Sequence, residues 1–275
     1  MYDFNGQLHD LLSDRSLFGD PNNLVVNQRL VEDPELPDDT PFTPYKSTSD
    51  GLLDEVLDGS WYQDTVKVTA EDGSENGHDF ILPIIIYVDK TGTDAYQRHS
   101  LEPVLFTLGV FNRATRNQTR AWRILGFVPD LEQTSSAVKK AQADKNRGLS
   151  VRNYHKCLAV VLQSFVETQK QKPDIFLRIG DWVKRTKPRL PLAFVIGDAK
   201  SGDTLCGRYG GHKTQRMCRA CTASYAECDD PYHQCQMVAS SNFDEYSALA
   251  SEKFDVEEFK HSYDGPQRGL RRQQL

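Results

Sequence analysis

The sequence predicts an α/β protein built on a mixed sheet with flanking helices, and three observations carry that expectation. Ile81-Leu82-Pro83-Ile84-Ile85-Ile86-Tyr87-Val88 is an almost unbroken apolar, β-branched run that ends in Asp89, the pattern of a central strand buried on both faces. Leu190-Pro191-Leu192-Ala193-Phe194-Val195-Ile196-Gly197-Asp198 repeats the form. Between them, Val151, Tyr154, Leu158, Val161, Leu162 and Phe165 fall on one helical stripe. A lone Asp at a strand end more often caps a turn than binds a ligand. Two acids in equivalent places argue differently: carboxylates on adjacent strands repel unless a cation lies between them, and hard divalent ions take oxygen ligands. Asp89 and Asp198 are therefore the expected ligands of Mg²⁺ or Mn²⁺.

At 275 residues with 38% hydrophobic content, the chain has room for one large domain with an insertion, or for two domains. No run approaches the roughly 18 apolar residues of a membrane span, and Met1-Tyr2-Asp3-Phe4-Asn5 lacks the parts of a signal peptide, so a soluble, intracellular protein with no membrane partner is expected.

Residues 1–45 are rich in Asp, Asn and Pro and read as an irregular, partly disordered acidic arm. A short helix is expected from Ser49 or Asp50 through Leu52, Leu53, Val56 and Leu57 to a stop at Gly59, followed by Ser60-Trp61-Tyr62 as a docking segment. The turn-rich stretch Glu71–Gly77 closes this arm, 1–77, and leads into a core of 78–200. After Asp89 and a polar loop, Val104–Phe111 and Ala121–Pro129 read as two further strands of a meander, joined by a basic loop with Arg113, Arg116 and Arg120. Residues 130–149 lack apolar period and are expected to form a flexible excursion. Ser150 starts the helix, which stops before Pro173. Phe176–Ile179 and Trp182–Arg185 then flank Gly180-Asp181, with glycine where a type II′ hairpin turn needs it.

Charge is divided unevenly. Residues 1–80 carry 4 basic and 18 acidic side chains, whereas 81–220 carry 24 and 11, so any polyanion-binding surface belongs to the middle of the chain. A charge run is also what a solvated face looks like, and the excess alone decides nothing between the two.

Six cysteines crowd mainly between Cys206 and Cys235, more like metal ligands than a secreted disulfide framework. Cys218-Arg219-Ala220-Cys221 lets two thiolates converge on one ion, and zinc takes about four such ligands. Cys206, His233 and Cys235 compete to complete the set, with His212 and Cys228 in reserve. A redox CxxC is the rival reading of the knuckle; Cys157, within the helix, reads as an ordinary buried thiol. A zinc-binding insertion is expected over 201–240, then a helical segment over 241–275.

These residues resemble the transposases of the Plavaka and KDZ type. Leu82–Val88 with Asp89-Lys90-Thr91 resembles that family's first-acid strand; Pro103, Thr107-Leu108-Gly109, the basic loop and Leu125-Gly126-Phe127-Val128-Pro129 resemble its next two strands. Gly197-Asp198, Leu205-Cys206 and the Cys218–Cys221 knuckle resemble its second acid with a cysteine-bearing insertion. The resemblance spans about 45–240. It implies a ribonuclease H-like fold, a nuclear protein, DNA at transposon ends as partner, and self-association; the basic charge of 81–220 in turn leads us to expect the nucleic-acid contact through Lys90, Arg113, Arg116, Arg120 and Arg123. A third acid is also implied. Glu252, Glu257 and Glu258 match none by motif, and the chain closes on Gly269-Leu270-Arg271-Arg272 without an evident last element, as an amino-terminal portion of a longer transposase or a decayed copy would.

Two functions follow: a metal-dependent strand-cleaving and strand-transferring enzyme, or a catalytically inactive, zinc-bearing nucleic-acid-binding remnant. A protein-interaction module working through the acidic arm is the third reading. Lys184-Arg185-Thr186-Lys187-Pro188-Arg189 resembles a nuclear import signal and reads equally as the exposed edge of the hairpin.

Overall fold

The computed structural model describes residues 2–25, 55–71, 81–92, 100–129, 140–180 and 182–198, with single positions up to 234. The chain falls into two compact units, Met1–Asp130 with Cys157–Ile196, and Leu131–Lys156 with Gly197–Leu275.

The first unit is built on the expected mixed sheet. β1 (Ile84–Val88) is paired on both sides, antiparallel to β3 (Ser100–Leu108) and parallel to β7 (Leu192–Ile196). β3 also takes β2 (Thr91–Gly92) and β4 (Arg123–Val128), both antiparallel, so β1, β3 and β4 form the predicted meander and the two Asp-ended strands are neighbours. The apolar run explains β1: Ile84, Ile85, Ile86 and Val88 are at most 2% exposed, as a strand covered on both faces must be. β7 departs from expectation. Its run reads as buried, yet Leu192, Phe194, Val195 and Ile196 are 40–47% exposed, because β7 is the last strand of the sheet and has a partner on one side only among the described residues.

Residues 4–18, expected within the irregular arm, instead form α1 (Phe4–Ser13) and α2 (Arg15–Phe18). Asp3 caps α1 by accepting from the Gly6 N–H, and Asp14 caps α2 through the Ser16 N–H. Phe4, Leu8, Leu11 and Leu12 lie on one buried stripe. The Phe4 ring packs 4.7 Å from Phe106 of β3 and 4.9 Å from Phe165, and the Phe4 N–H donates to Ser164 Oγ at 3.0 Å, so this amino-terminal helix is part of the core. Of the helix expected to stop at Gly59, residues 49–54 lie outside the described residues; Val56–Asp58 is a single 3₁₀ turn, and α3 (Ser60–Glu71) covers the segment expected to follow that stop, with Leu57, Tyr62 and Ile81 in a small buried cluster.

The basic stretch after β3 is no loop. Asn112 accepts from the Thr115 N–H and starts the one-turn helix α4 (Arg113–Arg116). α5 (Lys140–Gln171) starts ten residues before Ser150 and ends ahead of Pro173 as expected. Ala141, Gln142, Ala143 and Lys145 favour helix without any apolar stripe, which is why a search for periodicity passes over them. Within the first unit, Val161, Phe165 and Thr168 of α5 are buried. β5 (Ile175–Ile179) and β6 (Trp182–Thr186) form the predicted hairpin as a separate two-stranded sheet. Gly180 turns it at φ +56°, a left-handed value that glycine adopts without steric cost.

Candidate metal and nucleic-acid site

Asp89 follows β1 directly and is half-buried. The Tyr87 hydroxyl donates to its Oδ2 at 2.9 Å. The Tyr87 ring stands edge-on to Trp122 at 6.1 Å, and the Trp122 indole N–H donates to the Arg116 carbonyl at 2.7 Å. Asp89 is therefore oriented by a chain of side chains that ends in α4. Tyr87 is the residue that sequence reasoning overlooked, although period-two alternation sets residues 87 and 89 on the same side of an extended strand.

The register of β1 with β7 pairs Tyr87 with Ile196, two residues before Asp89 and Asp198 respectively. In the second unit, Asp198 is exposed; its Oδ1 accepts from the Ser201 N–H at 2.6 Å and its carbonyl from Gly202 at 2.9 Å. The second acid thus caps a turn through one carboxylate oxygen. Also in that unit, His155 Nε2 lies 3.2 Å from the Leu205 carbonyl.

The arginines divide into two kinds. Arg116 is pulled inward: its guanidinium pairs with Glu55 at 2.6 Å, both side chains 15% exposed, and donates to the Phe111 carbonyl. Glu55 Oε1 also accepts from the Arg113 N–H at 2.7 Å. Arg123, 17% exposed, reaches Asp10 at 2.6 Å and Asp14 at 3.6 Å. Arg113, Arg120 and Lys90 are exposed, and Arg120 Nε donates to Gln118 Oε1 at 2.7 Å. Arg116 and Arg123 thus fasten α4 and β4 to the rest of the unit. Glu55→Gln keeps the shape and removes the charge opposite Arg116, so it is expected to lower stability by about 3 kcal/mol, the low end for breaking a largely buried pair; a urea unfolding curve that barely moves would refute that weight.

Asp89 offers a hard oxygen donor suited to Mg²⁺ or Mn²⁺. Among the described residues no three His, Cys, Asp or Glu side chains gather for a metal. The expected zinc ligands Cys206, Cys218, Cys221, His233 and Cys235, and the acids Glu252, Glu257 and Glu258, lie outside the described residues. Cys157 is a free thiol. No described helix is long and apolar enough to cross a membrane.

A mixed sheet with flanking helices, whose central strand ends in an oriented acid, makes this an α/β protein. The family model described as Plavaka transposase matches residues 17–264, most of the chain, and the chain belongs to the Plavaka transposase family. Membership in a transposase family implies DNA as the partner. No curated protein and no solved structure matches.

Proposed function

We propose that the chain carries the catalytic core of a metal-dependent transposase with a ribonuclease H-like arrangement, cleaving and transferring strands at transposon ends. The parallel pairing of Tyr87 with Ile196 supports this reading, because each acid follows its member of that pair by two residues in sequence, at the carboxyl end of a strand, where ligands of open α/β sheets bind. Asp89 and Asp198 would hold Mg²⁺ or Mn²⁺. A divalent ion bound there supplies Lewis-acid polarisation of a phosphoryl oxygen and steadies the attacking and leaving oxygens. The chain's own part is to aim the carboxylate through Tyr87 and to hold phosphates with Lys90, Arg113 and Arg120. Nuclear work fits the basic run 184–189.

The reading is tested by DNA binding and Mg²⁺-dependent nicking of transposon-end duplex by the purified protein. Arg113 and Arg120 changed together to Ala are expected to flatten the salt dependence of binding by about two units, one per phosphate contact; an unchanged slope would put the interface elsewhere. Arg116 and Arg123 are better left intact, since their loss weakens the fold.

The alternative is a catalytically inactive, zinc-bearing nucleic-acid-binding remnant, favoured by the turn-capping use of Asp198. It predicts binding without nicking at any Mg²⁺ or Mn²⁺ concentration. Both readings place structural zinc on Cys218 and Cys221, completed from Cys206, His233 and Cys235. About one zinc per chain is expected by elemental analysis, and Cys218→Ser with Cys221→Ser is expected to release it while the sheet stays folded. Freely reactive cysteines in metal-free protein would remove the zinc.

A further inference from the structure

The β5–β6 hairpin has two faces with different chemistry. Ile175, Leu177 and Ile179 are fully buried, whereas Phe176 is 70% and Val183 56% exposed. The register pairs Phe176 with Arg185 and Arg178 with Val183, so two arginines and two apolar side chains alternate on the outer face. The Arg185 guanidinium lies 6.0 Å from the Phe176 ring centroid and pairs with Asp174 at 2.8 Å. Over 175–189 the chain carries five basic residues and one acidic. An aromatic ring held this far into solvent beside cations is a costly way to end a hairpin unless something stacks on it.

The hairpin turn is docked at the end of α2, with the Gly180 N–H donating to the Phe18 carbonyl at 3.1 Å. A groove of about 460 Å³ runs between them, lined by Ser13, Asp14, Arg15, Gly19, Phe176 and Arg178, among others. That volume falls within the roughly 300–1,000 Å³ of sites for small ligands, enough for one nucleotide unit. Arg15 is exposed and has no carboxylate partner among the described residues. Among the described residues Arg178 spends only its Nε, on the Gly180 carbonyl at 3.1 Å. The groove's carboxylate, Asp14, is already engaged by the Ser16 hydroxyl at 2.6 Å and N–H at 2.9 Å and by Arg123. The Ser16 hydroxyl holds its carboxyl below the usual range, burial opposes this, and the Ser16 N–H, Arg123 and Arg120 reinforce it.

We propose that this groove binds an unpaired nucleotide of single-stranded DNA, the base stacking on Phe176 and the phosphate meeting Arg15 and Arg178. The partner is chosen by chemistry: a ring face suits any unpaired base, whereas a base inside a duplex has its faces covered by its neighbours. Single strands arise wherever a transposase opens or nicks DNA, so the inference rests on the transposase reading and gives it a second contact, distinct from Arg113 and Arg120.

The test is fluorescence anisotropy with the whole chain, using a labelled oligo-dT twelve-mer and a blunt duplex of the same length. Phe176→Ala is expected to weaken single-strand binding roughly tenfold and to leave duplex binding unchanged, while Phe176→Trp keeps or tightens the single-strand affinity. Arg15→Gln with Arg178→Gln is expected to lower the single-strand salt slope by about 1.4 units. All three positions are exposed, so circular dichroism should show the parent fold. Single-strand affinity unchanged in Phe176→Ala, or equal losses on duplex and single strand, would overturn the groove. A parent protein that binds neither DNA would instead sink the transposase reading itself.

Discussion

Asp89→Asn is expected to abolish Mg²⁺-dependent strand cleavage, by on the order of a thousandfold or more, while DNA binding is kept or slightly tightened. The magnitude follows from the several kcal/mol of charge stabilisation that a bound divalent ion contributes at a phosphoryl centre, each 1.4 kcal/mol being tenfold in rate. Asn is the informative substitution. Its Oδ1 still accepts from the Tyr87 hydroxyl, which reaches Asp89 at 2.9 Å, so position and local fold are preserved and only the negative charge goes. Losing that charge beside a phosphate also explains why binding should not suffer. Tyr87→Phe removes the orienting hydrogen bond but keeps the carboxylate, and the smaller loss expected is about 10–100-fold, as for other groups that orient a metal ligand. Cleavage that survives Asp89→Asn at parental rate would remove Asp89 from the chemistry, and with it the shared site.

Phe4→Ala is expected to be the most destabilising single truncation near the amino terminus, at about 3–5 kcal/mol. Phe4 is fully buried, and its ring touches Phe106 of β3 and Phe165 of α5 within 5 Å, so the deletion opens a cavity among three elements that have little room to close around it. Such a loss is a large share of a typical total of about 5–15 kcal/mol and should lower the melting temperature by roughly 10 °C. A solvated acidic arm would show almost no change. The measurement therefore decides between a helix built into the core and a dispensable extension.

The amino terminus shows how composition can mislead. Phe4, Leu8, Leu11 and Leu12 recur at helical spacing behind an Asp cap, so the signal was in the chain, yet the Asp, Asn and Pro of residues 1–45 taken together speak for an irregular arm. The arginines show a different limit. Charge counts set Arg113, Arg116, Arg120 and Arg123 alike, and nothing local distinguishes Arg116 and Arg123 from the exposed pair, because their partners Glu55, Asp10 and Asp14 lie 61 to 113 residues away.

The sequence by itself determined the elements whose physics is local: the doubly buried β1 and its terminal acid, the meander to β3 and β4, the stop of α5 before Pro173, and the hairpin turned at Gly180. Each follows from a run of neighbours, a fixed φ or a missing N–H. Only the tertiary structure decided what depends on distant partners: that β7 has a strand partner on one side only among the described residues and leaves its apolar side chains half exposed, that α1 completes the core through Phe4, and that the Tyr87 hydroxyl donates to Asp89. Exposure and partnership are properties of the packed chain, and an apolar or charged residue carries the same letter whether its partner is solvent or a side chain a hundred residues away.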